Sequence, residues 1–355
     1  MVRVLHIIAH LEKGGAEKQL QLLIGASRHQ HIVLVPRVNV QDVSFPVLCF
    51  ETLSFGHVFA RVREVIREEG IDIVQLWLPE RLTFPAMLAA RLEGVQVISG
   101  DRRKPRARGW GAIRDRLQYV VHLGAHKVVP NYPVLPKPIS LRGLLGLRRK
   151  TTTISNGLAT EQRRVRFEGR AERLLTVGRL APQKRVELLI HALEVAFPDV
   201  ALDIVGEGPS EGELKLHAET SVAKERVAFH GRRSDWGDAF STEASVLVLP
   251  SESEGMSNVV FEAIAFGFVV VTRASSEFCE ITKGWSVKPI LFGDGAQTLE
   301  DALATAMALD PEARTELVRA LQAEVAKYSV GAMAAQYDAM YSQLGRRASH
   351  GLEAT

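Results

Sequence analysis

Strand-like and helix-like segments alternate along almost the whole chain. In the first half, short runs rich in Val, Ile and Leu are separated by longer segments whose apolar residues recur every three or four positions, the spacing of a helix that packs on one face. The strand-like runs are residues 2–9, 31–36, 71–77, 95–99 and 127–129. Because such alternation requires parallel strands joined by crossover helices, the sequence predicts a doubly wound α/β sheet.

The alternating pattern stops near the middle of the chain and then starts again. Pro133, Pro136 and Pro138 interrupt it. Strand-like runs resume at residues 174–178, 201–206, 227–230, 245–249 and 269–272. A chain of 355 residues is long enough for two such domains. We predict Rossmann-like domains over residues 1–160 and 170–328 that face each other across a cleft, and a helix over 329–345 that packs back on the first domain.

The net charge of +3 conceals two halves of opposite sign. Residues 1–170 carry 27 Lys and Arg against 14 Asp and Glu, a balance of +13, whereas residues 171–355 carry 17 against 27, a balance of −10. The basic half predicts an anionic partner, either a phosphate-bearing acceptor or an anionic membrane surface contacted by residues 102–116. A solvated run of charge is the alternative for that segment. Nucleic acid is disfavoured because no recognisable binding module accompanies the charge.

The sequence contains no segment typical of a membrane span or a secretory leader. Its longest nearly apolar stretch, residues 261–272, falls well short of the roughly 20 residues that a spanning helix needs. The amino terminus lacks a signal-peptide cleavage pattern, so we expect a cytoplasmic protein, with peripheral attachment to the inner face of the cell membrane as an option. Cys49 and Cys279 are far apart in the sequence and are expected to pack in the core without a disulfide.

Polar motifs of the second half follow directly after its strands, where open α/β sheets bind ligands. Arg179 and Lys184 follow the first of these strands and can converge on one anion, although two solvated cations are the simpler alternative. The turn at residues 206–209 is similar to a dinucleotide fingerprint, but its third glycine, Gly212, comes one residue too late, which disfavours a dehydrogenase. His230-Gly231 ends another strand and predicts only a turn by itself.

The most informative segment is residues 250–267. A buried strand ends at Pro250, a polar loop with Glu254 follows, and a helix is expected to begin near Ser257, so that backbone N–H groups at its start can bind an anion. Glu262 lies about one turn into an otherwise apolar helix, where a carboxylate needs partners such as a sugar or ribose diol. A structural salt bridge is the alternative for that carboxylate.

Glu254 and Glu262 form the Glu-x7-Glu pattern, and the chain here resembles the family 4 retaining glycosyltransferases of the GT-B fold. Other motifs occur in the order that such enzymes show: Gly14-Gly15, Asn156-Gly157, Gly178-Arg179 with Lys184, Gly206-Glu207-Gly208-Pro209 and His230-Gly231. The resemblance covers about residues 4–275. Within the family, the chain resembles the subgroup that builds bacterial surface or lipid-linked glycans. It implies two Rossmann-like domains.

The resemblance also implies a reaction and a set of site residues. The enzyme would move a hexosyl or N-acetylhexosaminyl group, with retention of configuration, from a UDP- or GDP-sugar to a glycan, polyprenyl-linked or small-molecule acceptor. Arg179, Lys184 and Glu254 would be catalytic. The donor would be bound by Gly14, Gly15, Gly208, His230, Gly231, Gly255, Met256, Ser257, Asn258, Val259 and Glu262. The chain contains no Asp-x-Asp motif, so we expect neither a metal nor a bound cofactor beyond the nucleotide sugar as co-substrate.

The chain departs from the family pattern at one functional loop. Many members carry a His where this sequence has Asp101-Arg102, and we expect these two residues on the acceptor side, with Trp77 helping to shape it. Two alternatives to a glycosyltransferase stay open at this point: an epimerase or phosphorylase that shares the fold, and a non-catalytic binding subunit.

Overall fold

The computed structural model describes residues 1–9, 11, 14–36, 43–78, 81–102, 118–133, 141–252, 254–293 and 295–352, and gives no side-chain detail for 141–145 and 346–352. Its contacts divide the chain into two compact units. Unit 1 consists of Met1–Gly157 with Tyr328–Thr355, and unit 2 is Leu158–Lys327.

The helices and strands alternate in both units. Unit 1 begins with β1 (Arg3–Ile7), α1 (Gly15–Ala26), β2 (Gln30–Pro36), β3 (Val47–Phe50), α2 (Phe55–Glu69), β4 (Ile73–Leu76), α3 (Thr83–Leu92), β5 (Gln96–Asp101), α4 (described over residues 118–124), β6 (Lys127–Pro130) and α5 (Leu141–Lys150). Unit 2 contains β7 (Arg173–Val177), α6 (Glu187–Val195), β8 (Ala201–Val205), α7 (Glu211–Thr220), β9 (Val227–Phe229), α8 (Trp236–Ala239), β10 (Ser245–Leu249), α9 (Asn258–Phe266), β11 (Val269–Arg273), α10 (Ser276–Ile281), β12 (Ile290–Phe292), α11 (Leu299–Ala308) and α12 (Pro311–Val325). The last helix, α13 (Val330–Leu352), belongs to unit 1.

Unit 1 is built on a six-stranded parallel sheet in the order β3-β2-β1-β4-β5-β6. Successive residues of β1 point to opposite faces, so Leu5 packs with the cluster under α2 and α3, whereas Val4 packs with the cluster that contains α1 and α13. Burial on both faces explains why the strands read as continuous apolar runs. Tyr337 and Tyr341 of α13 are buried in the second cluster.

Unit 2 repeats the architecture with a six-stranded parallel sheet in the order β12-β11-β10-β7-β8-β9. The chain leaves β7 toward β8 and leaves β10 toward β11, which is the opposite direction. The edge of the sheet where β7 and β10 end is therefore the topological switch point, the place where doubly wound sheets hold their ligands.

The predicted α/β fold class is confirmed, with some local differences. The short strands β3 and β12 were not predicted. Helix α5 lies within the proline-interrupted stretch. The prediction that both cysteines lie in the core is wrong, since Cys49 is exposed at the sheet edge and Cys279 is half-buried. Among the described residues, no helix is both long and apolar enough to cross a membrane.

Candidate active site

The carboxyl ends of β7 and β10 enclose a small recess at the switch point of unit 2. It has room for about one water molecule and is partly open to solvent. The walls are formed by Thr176, Val177, Gly178, Arg179, Leu180, Lys184, Val186, Leu249, Pro250 and Ser251. Two of the three residues predicted as catalytic, Arg179 and Lys184, thus line one recess.

Lys184 forms an ion pair with Glu254, the third residue predicted as catalytic. Lys184 ends a single 3₁₀ turn, Pro182–Lys184, and the backbone N–H of Glu252 donates to the carbonyl of Gln183 at 2.9 Å. This backbone bond fastens the loop after β10 to the loop after β7. The side chains of Lys184 and Glu254 remain 21% and 27% exposed, so a ligand can reach both.

Arg179 occupies the same loop and is exposed. Within the described part of the chain it has no carboxylate partner, in contrast to Lys184. A guanidinium that lines a recess without a counter-charge is free to bind an anion through its planar donor fork.

The turns that follow β7, β8 and β9 approach one another through glycine backbone. Gly178 N–H donates to Val205 O at 2.9 Å, and Gly206 N–H donates to Gly231 O at 2.7 Å. A Cβ at Gly206 would overlap the carbonyl oxygen of Gly178, and one at Gly208 would overlap that of Leu180. Gly206 also has a positive φ of 146°, so glycine is required there for two independent reasons.

His230 directly follows β9 and is oriented by a buried carboxylate. Its Nε2 donates to Asp203 Oδ1 at 2.7 Å, and Asp203 also accepts two hydrogen bonds from Arg173 at 2.7 and 2.8 Å. Burial alone would raise the pKa of Asp203, but the hydrogen bonds from Arg173 and His230 outweigh it and hold the pKa below its usual value. Asp203 is therefore an anion that fixes the ring of His230.

The loop before α9 brings the remaining donor-binding candidates together. Met256 and Ser257 are buried, and Ser257 directly precedes the helix, as predicted. Gly255, Asn258 and Val259 are half-buried, and Glu262 is 8% exposed within the helix. The buried carboxylate and the N–H groups at the start of α9 thus lie close to Glu254 in the chain.

Four predicted site residues belong to unit 1. Gly14 and Gly15 start α1, and Gly14 occupies the position that caps the helix. Asp101 is the last residue of β5, and Arg102 follows it. Most of the basic stretch 102–116 lies outside the described residues. Asn156 is buried and accepts a hydrogen bond from Arg102 at 2.8 Å.

Two residues of the site in unit 2 were not predicted. The Ser251 side chain is buried beside the recess, and its hydroxyl has no hydrogen-bond partner among the described residues. Asp203 was overlooked although a carboxylate within the apolar strand Ala201–Val205 is a usable signal. Within the described ranges, no three His, Cys, Asp or Glu side chains are grouped as a metal site would require.

Residues 159–323, almost the whole of unit 2, match the model of the family described as glycosyl transferases group 1. Unit 2 is a glycosyl transferases group 1 domain. The recess, the glycine turns and the Glu254–Glu262 segment all lie inside this group 1 domain.

Two curated relatives are similar to parts of the chain. An uncharacterized glycosyltransferase of Haemophilus influenzae is 36% identical over 101 residues, which are 28% of each protein. The lipopolysaccharide core biosynthesis glycosyltransferase LpsE of Rhizobium meliloti is 26% identical over 234 residues, which are 64% of this chain and 63% of the relative. The chain thus matches less than two thirds of the length of either relative.

The fold is shared over nearly the full length with solved structures. Anabaena HepE in complex with UDP and glucose is 18% identical, with a TM-score of 0.77 over 97% of this chain and 100% of that protein. This likeness confirms the GT-B fold that the motifs predicted, and the family match of residues 159–323 confirms the predicted family.

Proposed function

We propose that the chain is a retaining glycosyltransferase that moves a hexosyl or N-acetylhexosaminyl group from a nucleotide-diphosphate sugar to an acceptor hydroxyl. The observation that carries the proposal is the Lys184–Glu254 pair beside the exposed Arg179, at the switch point of a group 1 domain. Cations and a carboxylate in one place suit a donor that has a diphosphate at one end and sugar hydroxyls at the other.

Arg179 and Lys184 would act on the leaving group. When the bond between the sugar C1 and the diphosphate oxygen breaks, the electron pair stays on the diphosphate and its negative charge grows. Two positioned cations stabilise that charge without reorganisation of solvent. The acceptor oxygen bonds to C1 on the face that the diphosphate leaves, and its proton passes to the departing phosphate oxygen.

Glu254 and Glu262 would orient the donor. Phosphate oxygens would replace Glu254 as the partner of Lys184, and the released Glu254 would accept hydrogen bonds from sugar hydroxyls. Glu262 would bind the ribose, while His230, Gly231, Gly208 and the N–H groups near Gly255–Val259 would contact the nucleotide and the phosphates. In unit 1, Gly14 and Gly15 would contribute loop backbone to donor binding.

On the acceptor side, we propose a glycan or a polyprenyl-linked acceptor that contacts Asp101 and Arg102. The similarity to a lipopolysaccharide core glycosyltransferase supports this class of acceptor. We also propose that the protein is cytoplasmic and that residues 102–116 attach it to the inner face of the membrane, since this segment carries seven Lys and Arg and one Asp.

A donor screen tests the proposal. The purified chain is incubated with UDP-, GDP-, ADP- and dTDP-sugars, with and without EDTA, while its melting temperature and slow donor hydrolysis are measured. We expect one nucleotide class to stabilise the protein and to be hydrolysed equally well in EDTA, because Arg179 and Lys184 supply the positive charge. UDP-sugars are the first to try, since the structurally similar HepE binds UDP and glucose.

Other outcomes would reject the proposal in distinct ways. Isomerisation of the donor without an acceptor would indicate an epimerase, and sugar release that depends on inorganic phosphate would indicate a phosphorylase. Absence of any response, together with an unchanged melting temperature in Glu262→Ala, would favour a non-catalytic subunit.

A further inference from the structure

Arg102 is held in unit 1 by three neighbours. Its guanidinium stacks on the ring of Trp77, with Cζ 4.4 Å from the ring centroid. It donates to Asn156 Oδ1 at 2.8 Å and to the Tyr337 hydroxyl at 3.3 Å. These contacts use two of the five N–H groups of the guanidinium, and the other three have no partner among the residues that the structure describes.

The neighbours of Arg102 are themselves fixed. The Trp77 side chain is buried, and its Nε1–H donates to His6 at 2.9 Å. Asn131 donates to the same Asn156 oxygen at 3.3 Å, while its own carbonyl oxygen is buried without a partner among the described residues. Arg102 is therefore set in place before any ligand arrives, which lowers the entropic cost of binding.

The positive charge of Arg102 is not neutralised in the described part of the chain. The adjacent Asp101 is turned toward His122, 3.7 Å away. The other contacts of Arg102 are an aromatic ring, an amide and a phenol, none of which carries a negative charge. From Arg102 to Lys150 the sequence has 13 Lys and Arg against a single acid, Asp115. A half-buried cation that the described residues do not neutralise, in a chain segment of such basic composition, attracts a multiply charged anion.

We propose that Arg102 binds a phosphate or diphosphate group of the acceptor, with Trp77, Asn156 and Tyr337 as positioning residues. The inference rests on the proposed glycosyltransferase function and narrows its acceptor to a phosphorylated molecule. A planar fork with free N–H groups matches two phosphate oxygens. A phosphate carries more charge than the single negative charge of a carboxylate, so the surplus of positive charge favours phosphate as the ligand.

The test measures anion binding directly and needs no acceptor of known identity. Inorganic phosphate, pyrophosphate, farnesyl diphosphate and glucuronate are titrated into the full-length protein by calorimetry, once alone and once with saturating UDP. Saturation with UDP removes the contribution of the donor site. The variants are Arg102→Ala, Arg102→Lys and Tyr337→Phe. The matched control is Arg91→Ala, which removes another arginine of unit 1 that has no carboxylate partner among the described residues.

With UDP present, we expect pyrophosphate to bind about ten- to a hundredfold more weakly to Arg102→Ala, the loss of one charge-assisted bidentate contact. Arg102→Lys should recover part of the affinity, because the charge returns without the fork, and Tyr337→Phe should weaken binding to a smaller extent. Arg91→Ala should bind as the wild type does. Tighter binding of farnesyl diphosphate than of pyrophosphate would assign a lipid-linked acceptor, whereas equal affinities would assign a soluble phosphate.

Equal pyrophosphate affinity in the wild type and Arg102→Ala would overturn the inference. So would glucuronate binding that depends on Arg102 when pyrophosphate binding does not. Neither result would affect the proposed transfer reaction, which is judged by UDP binding and donor hydrolysis. Conversely, if UDP fails to bind, the titrations without UDP still compare Arg102→Ala with Arg91→Ala.

Discussion

Lys184 and Glu254 neutralise each other while both remain accessible to solvent. An ion pair of this kind contributes little to stability, because solvent screens it and ordering two long side chains costs entropy. We therefore propose that the pair serves ligand binding. In the free protein the two side chains hold each other, and in the proposed reaction the donor would replace both halves of the interaction.

Lys184→Ala should lower kcat for transfer or donor hydrolysis by about 100- to 1,000-fold, the usual cost of removing one group that stabilises charge in the transition state. The melting temperature should change little, because the lost pair is partly accessible to solvent, which screens it. Steady-state kinetics and calorimetry measure the two effects. Lys215→Ala is the control, since Lys215 is an exposed lysine of the same unit that pairs with Glu211 on α7. Turnover near the wild-type value in Lys184→Ala would remove Lys184 from the site.

Asp203→Asn should weaken donor binding more than it slows the chemical step. The amide carries no charge, so it holds Arg173 and His230 less firmly and leaves the His230 ring free to rotate. We expect KM for the donor to rise several-fold and the free energy of unfolding to fall by about 1–3 kcal/mol. Initial-rate kinetics and urea unfolding provide both numbers. An unchanged KM would show that the orientation of His230 is irrelevant to donor binding.

Among the elements of unit 2, the proposed donor site depends on how closely the turns at the ends of the strands approach one another. The loops after β7, β8 and β9 exchange backbone hydrogen bonds through Gly178, Gly206 and Gly231. A side chain at Gly206 or Gly208 would clash with the backbone of the loop after β7, which carries Arg179 and Lys184, and would displace that loop. The lack of a side chain at these glycines thus allows the loops to come as close as the site requires.

Gly206→Ala should destabilise the protein by about 3 kcal/mol or more, because the new Cβ overlaps the Gly178 carbonyl and the positive φ strains any residue other than glycine. Gly212→Ala is the matched control. Gly212 lies in α7, where a Cβ meets nothing within 4 Å, so alanine should be neutral or add up to about 1 kcal/mol. Urea unfolding of both variants tests the comparison, and equal stabilities would contradict it.

At the scale of the whole molecule, unit 1 combines an excess of positive charge with buried neutral histidines. Trp77 donates to His6 Nδ1, so His6 carries its proton on Nε2 and donates to His31 Nδ1 at 2.8 Å. Burial lowers the pKa of His6 well below its usual value, and burial, aided by His29, lowers that of His31 to about 4. Both rings are therefore neutral in the folded protein at neutral pH.

The buried histidines His6 and His31 predict that the folded protein loses stability in mild acid. Unfolded histidines take up protons below about pH 6.5, whereas folded His31 does so only near pH 4, so the unfolded state binds more protons in this window. The contribution of His31 should be complete above pH 6.5 and should fall by about 3 kcal/mol as the pH drops to 4. Calorimetry across this range is the measurement. His31→Asn, which keeps an acceptor for His6, should flatten the pH dependence, and an unchanged slope would contradict this origin.

Some residues of the candidate site could be predicted from the sequence, and others could not. Lys184, Glu254 and Glu262 were predicted as site residues because charged residues directly follow or interrupt apolar runs. Ser251, Asp203 and Tyr337 were not chosen as site residues. Their importance comes from what lies opposite them in space, and a serine after a strand or a tyrosine in a helix has no distinctive pattern.

The fold class could be predicted from the sequence, and so could the sheet edge at which we propose that the donor binds, because strand and helix periods and the polar residues that follow strands are local properties. Which loops meet depends on the tertiary structure. Adjacency of β7 and β10 pairs Lys184 with Glu254 across 70 residues, and α13 brings Tyr337 to Arg102 across 235. Contacts between residues so distant in sequence depend on strand order and helix packing, which no local pattern of amino acids specifies.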